Sequence, residues 1–320
     1  MKLSFLHYRL LAAAALVLIL LLARCTSAPA IRDGHTLEVC GQRFPIATRV
    51  VNWRESRGYD AYREGKFFDR SEPPDGKRRY GVRANLPEAI AANVRANGLG
   101  LDDLRRVVHQ FVLHYDIAGC SRQCFKVLQD VRNLSVHFLL DVDGTIYQTL
   151  DLREKAQHAT IANDFSIGVE IAHPGAYPQP MNATMAVWYE KDAQGWRQRF
   201  PGWLKETGIL TPDFVIRPAR PEIVSGTVQG KTYHQLDFTE QQYAALARLC
   251  AALSEVFPRI RLEAPRDQNG EVVDHALPEA ELRAFDGIVG HFHVQTNKQD
   301  PGPAFQWNRV LGEARRLRGR

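Results

Sequence analysis

Beyond residue 85 the apolar positions fall into short blocks whose period and punctuation name the element they belong to. Val107 to Leu113 is β-branched and apolar, the composition of a buried strand, and it delivers His114 at its end. Val136-His137-Phe138-Leu139-Leu140-Asp141 and Thr145-Ile146-Tyr147-Gln148-Thr149-Leu150 flank Asp143-Gly144, and Asp-Gly between two apolar runs predicts a hairpin. Ser166 to Ala172 reads as another buried strand, and Ile288-Val289 as one that leads to His291. Between these blocks lie helix signals. Asn85 with Glu88 three residues on, and a stop at Gly98, predict one helix; Ser121 to Arg132 predicts a second. Thr239 and Gln242 form a capping box, with Phe238 and Tyr243 placed as a hydrophobic staple, for a helix running to about Val256. A closing helix follows Pro303. Strands interleaved with helices, plus one antiparallel hairpin, predict an α/β fold: a mixed β-sheet flanked by helices.

The remaining stretches set the organisation. Lys2 and Arg9 precede an unbroken apolar run from Leu10 to Ala23, whose fourteen residues suit a signal-peptide core better than a membrane span. Residues 1–28 are therefore expected to be an export signal, with a retained anchor as the alternative. Thr26-Ser27-Ala28 offers an ordinary cleavage site, and Leu22-Ala23-Arg24-Cys25 resembles a bacterial lipoprotein box in which Arg24 replaces the usual small residue. Export to the periplasm or cell envelope is expected, and lipidation of Cys25, with membrane anchoring through the N-terminus, stays open. Residues 29–84 look irregular, with a strand candidate at Arg49 to Trp53, and read as an extension wrapping the main domain of 85–320. Residues 173–236, rich in Pro, Gly and aromatics with a hairpin at Asp192 to Gly195, read as an insertion.

Charge and cysteine content change this picture little. The sequence pI is near 9.0, but three of the five net positive charges (Lys2, Arg9, Arg24) lie in the first 28 residues, which leaves no ground for a nucleic-acid partner. Without Cys25 the cysteines are Cys40, Cys120, Cys124 and Cys250, an even number compatible with disulfides after export. Cys120 and Cys124 pair only if the backbone between them is a loop, since a helix aims their Cβ atoms poorly; two free buried thiols are the alternative. A monomer is expected.

Candidate chemistry starts with the 11 histidines. His7 lies in the signal segment; His35, His234 and His275 have polar surroundings of a surface kind; His109 reads as a hydrogen-bonded core residue, and His173 reads either way. His114 and His291 differ, since each ends a buried strand, where open α/β sheets place functional groups. Lys298-Gln299-Asp300-Pro301-Gly302-Pro303 follows His291; if extended, it puts Lys298 and Asp300 on one face, and otherwise it is a Pro-rich turn carrying a surface ion pair.

Taken together, Phe111-Val112-Leu113-His114-Tyr115, Val136-His137-Phe138 with Asp143-Gly144-Thr145, Ile167-Gly168-Val169-Glu170, and Gly290-His291 with Lys298 to Pro303 resemble one family. It is the type-2 zinc N-acetylmuramoyl-L-alanine amidases, which share a fold with T7 lysozyme and peptidoglycan recognition proteins, and the resemblance spans roughly 105 to 310. It implies Zn2+ on His114, His291 and Asp300, with Glu170 as general base and then acid, and Lys298 stabilising the oxyanion. It also implies that His158, in Gln157-His158-Ala159-Thr160, lines the substrate pocket or hydrogen-bonds behind it, and that Asn163 contacts substrate. The implied substrate is peptidoglycan or its muropeptide fragments, cut between N-acetylmuramic acid and L-alanine. A non-catalytic peptidoglycan-binding module and a zinc peptidase acting on another amide are the alternatives. Val136 and Asp300 depart from the phage and animal branches, which have Tyr and Cys there. His293, two residues from His291 on a stretch read as extended, is a competing ligand, and Trp188, Tyr189, Trp196 and Trp203 of the insertion either stack on sugars or build its own core.

Overall fold

The computed structural model describes residues 35–69 and 76–319. The expected export signal, Cys25 and both cleavage sites lie outside these residues. Among the described residues, no helix is long and apolar enough to cross a membrane.

The chain opens with a hairpin, β1 (Thr36–Val39) and β2 (Gln42–Pro45), followed by β3 (Val50–Asn52) and the short β4 (Tyr80–Gly81). Helices Glu88–Asn97 and Leu101–Val107 precede β5 (Gln110–Tyr115). A helix at Ser121–Lys126 continues as a π-helical turn at Val127–Arg132 and leads to the predicted hairpin of β6 (Phe138–Leu140) and β7 (Ile146–Gln148). β8 (Lys155–Ala156) pairs with β4, and β9 (Ser166–Ile171) completes the first half. The 173–236 segment contributes helix Ala183–Trp188 and two hairpins, β10 (Tyr189–Asp192) with β11 (Gly195–Gln198) and β12 (Val224–Val228) with β13 (Lys231–Gln235). Helix Glu240–Val256, a short helix Glu279–Ala284, β14 (Gly287–Gly290), one turn of helix at His291–Val294 and helix Trp307–Arg318 finish the chain.

Six strands form one mixed sheet in the order β14-β5-β9-β6-β7-β3. The first four run parallel; β7 reverses against β6, and β3 pairs parallel to β7. The N-terminal segment thus does more than wrap the domain, since Val50–Asn52 is the edge strand of its sheet.

Alternation decides which face is which. Phe111 and Leu113, Ile167, Val169 and Ile171, Phe138 and Leu140, and Ile288 all enter the main core, beneath helices Glu240–Val256 and Trp307–Arg318. Val112, Leu139 and Val289 point to the opposite face. The helix at 240–256 starts on the predicted capping box, with Thr239 accepting from the Gln242 backbone and Gln242 from that of Thr239. The staple is present too, with the Phe238 and Tyr243 rings 5.9 Å apart.

Two local expectations are corrected, and the open question of Cys120 and Cys124 is answered. Val107 ends a helix, and the strand starts only at Gln110, the first residue paired with β9. Asn85 does not cap the first helix; its side chain donates to Asp164, and Pro87 holds the cap position. Cys120 and Cys124 are free, buried thiols at the start of a helix, the backbone geometry that aims them poorly for a bridge; Cys40 and Cys250 are free as well.

Candidate metal centre and catalytic cleft

His114 lies on the Val112 face of β5, away from the main core. Pairing of β5 with β9 sets His114 directly beside Glu170, and pairing of β5 with β14 ends at Leu113 against Gly290, so that His291 emerges next to His114. Register alone therefore gathers two imidazoles and a carboxylate at the C-terminal ends of three adjacent parallel strands. Asp300 arrives from the following turn. Its Oδ2 lies 3.1 Å from His114 Nδ1 and 3.0 Å from His291 Nδ1, and the two Nδ1 atoms are 2.9 Å apart. All three residues are buried.

Two imidazole nitrogens and a carboxylate oxygen at such separations suit a tetrahedral cation, whose ligand atoms at about 2.0 Å from the ion would stand about 3.3 Å from one another. The far side of each ring fits as well. His114 Nε2 faces His158 Nδ1 at 3.1 Å, and His291 Nε2 faces Gln295 Oε1 at 2.8 Å. Each ring can donate its Nε2–H outward and leave Nδ1 with a free lone pair, the arrangement that orients metal-ligating histidines. Burial, then His291, pushes His114 down to about 4, so it is neutral at physiological pH. Burial works against the charge of Asp300, but His291 and the close approach of both imidazoles outweigh it and hold the carboxyl below its usual range.

Glu170 lines the same cleft of about 850 Å³, which the centre opens into. Burial first, then the charges of Asp300 and Asp116, hold its carboxyl well above the ordinary range, while Lys298 and Arg132 oppose them. Its Oε2 is buried and has no hydrogen-bond donor among the described residues. A carboxyl with a buried, free oxygen and a raised affinity for protons is suited to accept and return one. Lys298 also lines the cleft, on a turn rather than an extended stretch.

Other expectations divide. His158 takes both roles left open for it: it reaches the cleft wall and also stands behind His114. Its Nε2 faces Ser166 Oγ at 3.3 Å, and burial, then His114 and His137, keep it neutral. The ring lies flat over Gly168, where an added Cβ would come within 2.5 Å of it, which explains the glycine two residues before Glu170. Asn163 is not in the cleft lining; its Oδ1 accepts from the backbone of His158 and Ala159, so it shapes the loop that presents His158. His293 is no competitor. The segment is helical, which turns His293 away from His291; its Nε2 meets Val273 O at 2.7 Å and its Nδ1 accepts from Gly290 N. His109 is the expected core residue, held by Phe285 O and Asp286, and His173 proves structural, bonded to Leu236 O.

Three supporting residues carried no sequence signal. Arg83, fully buried, donates to the carbonyls of Asn163, Asp164, Ser166 and Leu152, tying the N-terminal segment to the His158 loop and the root of β9. Asp116 Oδ1 accepts from the backbone of Ala118, Gly119 and His173, fixing the loop after His114. Gln229, at the tip of the β12–β13 hairpin, donates to the carbonyls of Phe292, Gln295 and Lys298 and so clamps the turn between His291 and Asp300.

The C-terminal ends of three parallel strands thus carry a group that could hold a metal beside a carboxyl with a free oxygen, an arrangement suited to metal-assisted hydrolysis. Residues 104–210, a third of the chain, match the family described as Amidase_2, N-acetylmuramoyl-L-alanine amidase. That segment contains His114, His158 and Glu170; His291, Lys298 and Asp300 lie beyond it and are brought in by the fold. Similar solved structures include a selenomethionine derivative of AmpD (16% identity, covering 81% of this chain and 97% of that one, TM-score 0.33). They also include AmiD of E. coli in complex with the substrate anhydro-N-acetylmuramic acid-L-Ala-D-gamma-Glu-L-Lys (19%, 64% and 57%, TM-score 0.36). A third is the Ph2119 endolysin of a Thermus scotoductus bacteriophage (14%, 83% and 99%, TM-score 0.33). No curated protein sequence matches the chain.

Proposed function

We propose that the chain is a zinc-dependent N-acetylmuramoyl-L-alanine amidase that acts on peptidoglycan or its fragments in the cell envelope. The observation that carries this reading is the convergence of His114 Nδ1, His291 Nδ1 and Asp300 Oδ2 beside a Glu170 carboxyl with a free, buried oxygen. Zinc held by His114, His291 and Asp300 would supply Lewis acidity and make water a nucleophile near neutral pH. Glu170 takes the proton of the attacking water and returns it to the departing amine of L-alanine. Its raised proton affinity assists the second half of that shuttle, and Lys298, which opposes the rise, moderates it in the first. Lys298 faces the negative charge that develops on the carbonyl oxygen. His158 and Gln295 hold the two imidazoles in the tautomer that leaves Nδ1 free.

The apolar N-terminal run supports export, which would place the protein where the peptidoglycan wall is. Retention of Glu170 and Lys298 beside a full ligand set favours an enzyme over a binding module of the same fold. Purified peptidoglycan incubated with the protein is expected to release stem peptides that begin with L-alanine. The release should stop with a chelator and return with added zinc. Intact stems on the glycan, with zinc fully bound, would mean binding without hydrolysis.

A further inference from the structure

The insertion builds one wall of the cleft, and that wall has a character of its own. Tyr177, Pro178, Thr184, Trp188, Trp203 and Tyr233 line it, and none is charged. The charged lining residues, among them Arg132, Glu170, Lys298 and Asp300, all come from outside the insertion.

Within the wall the two tryptophans play different parts. Trp188 is 6% exposed and packs against Gly119, which has a φ of +72° and where a Cβ would lie 2.5 Å from the indole ring. Gln198 donates to Gly119 O at 3.0 Å, so the insertion is docked on the very loop that follows His114. Trp203 instead is 61% exposed. It sits on a turn closed by Leu204 N–H donating to Pro201 O, between a buried Pro201 and a Leu204 packed into the insertion's own core. Its ring meets Trp188 edge to face at 6.0 Å. Trp203 is thus held by its neighbours while most of its surface faces solvent at the cleft. Ile117, also 61% exposed and lining the cleft, adds a second apolar surface there, in a left-handed conformation (φ +48°) that a β-branched residue adopts only under constraint. Exposed apolar surface concentrated at a functional cleft marks a binding surface.

We propose that Trp203 is a stacking platform for a sugar ring of the glycan strand that carries the stem peptide. This identity of the occupant rests on the amidase reading. The substrate has two chemically distinct arms. The glycan is neutral along its backbone and offers flat faces of C–H bonds that suit an indole, whereas the stem peptide carries carboxylates that suit the cationic residues elsewhere in the cleft. An uncharged aromatic wall continuous with the catalytic centre matches the first arm.

The test uses peptide-free N-acetylglucosamine–N-acetylmuramic acid oligosaccharides as the probe. Their binding should perturb tryptophan fluorescence, because the other four tryptophans are buried or half-buried. Trp203→Ala should remove that signal and weaken inhibition of amide hydrolysis by the oligosaccharide about tenfold, a loss of about 1.4 kcal/mol, with Trp203→Phe retaining part of it. kcat on muropeptide should stay within about twofold, since Trp203 touches no reacting atom. Absence of oligosaccharide binding by the wild-type protein, or binding and inhibition unchanged by Trp203→Ala, would overturn the proposal. Oligosaccharide binding that depends on Trp203 in a protein that cleaves no amide would uphold it while removing the amidase reading.

Discussion

At the residue scale the candidate centre holds an acid whose charge its surroundings disfavour. Glu170 keeps an unpartnered oxygen in a site that penalises its charge, and its neighbours Asp300 and Asp116 add to the penalty. Glu170→Gln removes the charge and keeps the shape. It is expected to lower amide hydrolysis by about 10²- to 10⁴-fold, the range for loss of a general acid–base. The thermal midpoint of the metal-free variant should stay at or above that of the wild type, and zinc content should be unchanged. Calorimetry and metal analysis check both; a fall in zinc content along with activity would assign Glu170 to the metal instead. Much at this scale was legible from sequence. His114 and His291 announced themselves at the ends of buried strands, and strand pairing then set Glu170 beside His114. His293 misled because a single turn of helix, His291–Val294, is too short to print a helical period, so an extended reading placed it beside His291.

At the element scale, local signals survived folding and distant ones were invisible. The capping box at Thr239 and Gln242 and the Asp143-Gly144 hairpin are each written within about fifteen consecutive residues, and both formed as expected. The clamp that Gln229 places on the 292–298 turn joins residues up to 69 positions apart, and Arg83 reaches 80 or more residues to the β9 root. No periodicity records such contacts. The insertion is therefore part of the candidate metal centre's support and not an ornament on it: the β12–β13 hairpin fixes the path of the chain between His291 and Asp300. Gln229→Ala leaves the carbonyls of Phe292 and Gln295 without that donor, at about 1–3 kcal/mol for each acceptor left buried and unpaired. Zinc affinity measured by competition with a chromogenic chelator should drop by about tenfold or more, in the range seen when outer partners of metal ligands are removed. Unchanged affinity would mean that the turn holds its shape without the hairpin.

At the scale of the whole molecule, buried neutral histidines outside the candidate ligand set determine the acid limit of the fold. Burial pushes His137 down to about 3, His173 to about 4 and His293 to about 3, all from an ordinary value of 6.5. Each gains a proton in the unfolded chain near pH 6.5 but resists it in the folded one. Stability is thus fully present above pH 6.5 and is lost as pH falls toward the folded values. Three such groups give a slope of about 4 kcal/mol per pH unit once the unfolded chain is protonated, against a total stability of about 5–15 kcal/mol. Thermal midpoints in chelator should fall steeply between about pH 6 and pH 4; a flat profile across that window would contradict the neutral, buried state of these rings. The same histidines tie the sheet to its loops, through Glu154 for His137, Leu236 for His173 and Val273 for His293. The central claim concerns one bond, and isotope labelling reads that bond directly. Muropeptide hydrolysed by the zinc-loaded protein in 18O-water should carry a single 18O on the lactyl carboxylate of muramic acid, with none on the released peptide that begins with L-alanine. Label on a peptide carboxylate, or on no product, would contradict the account.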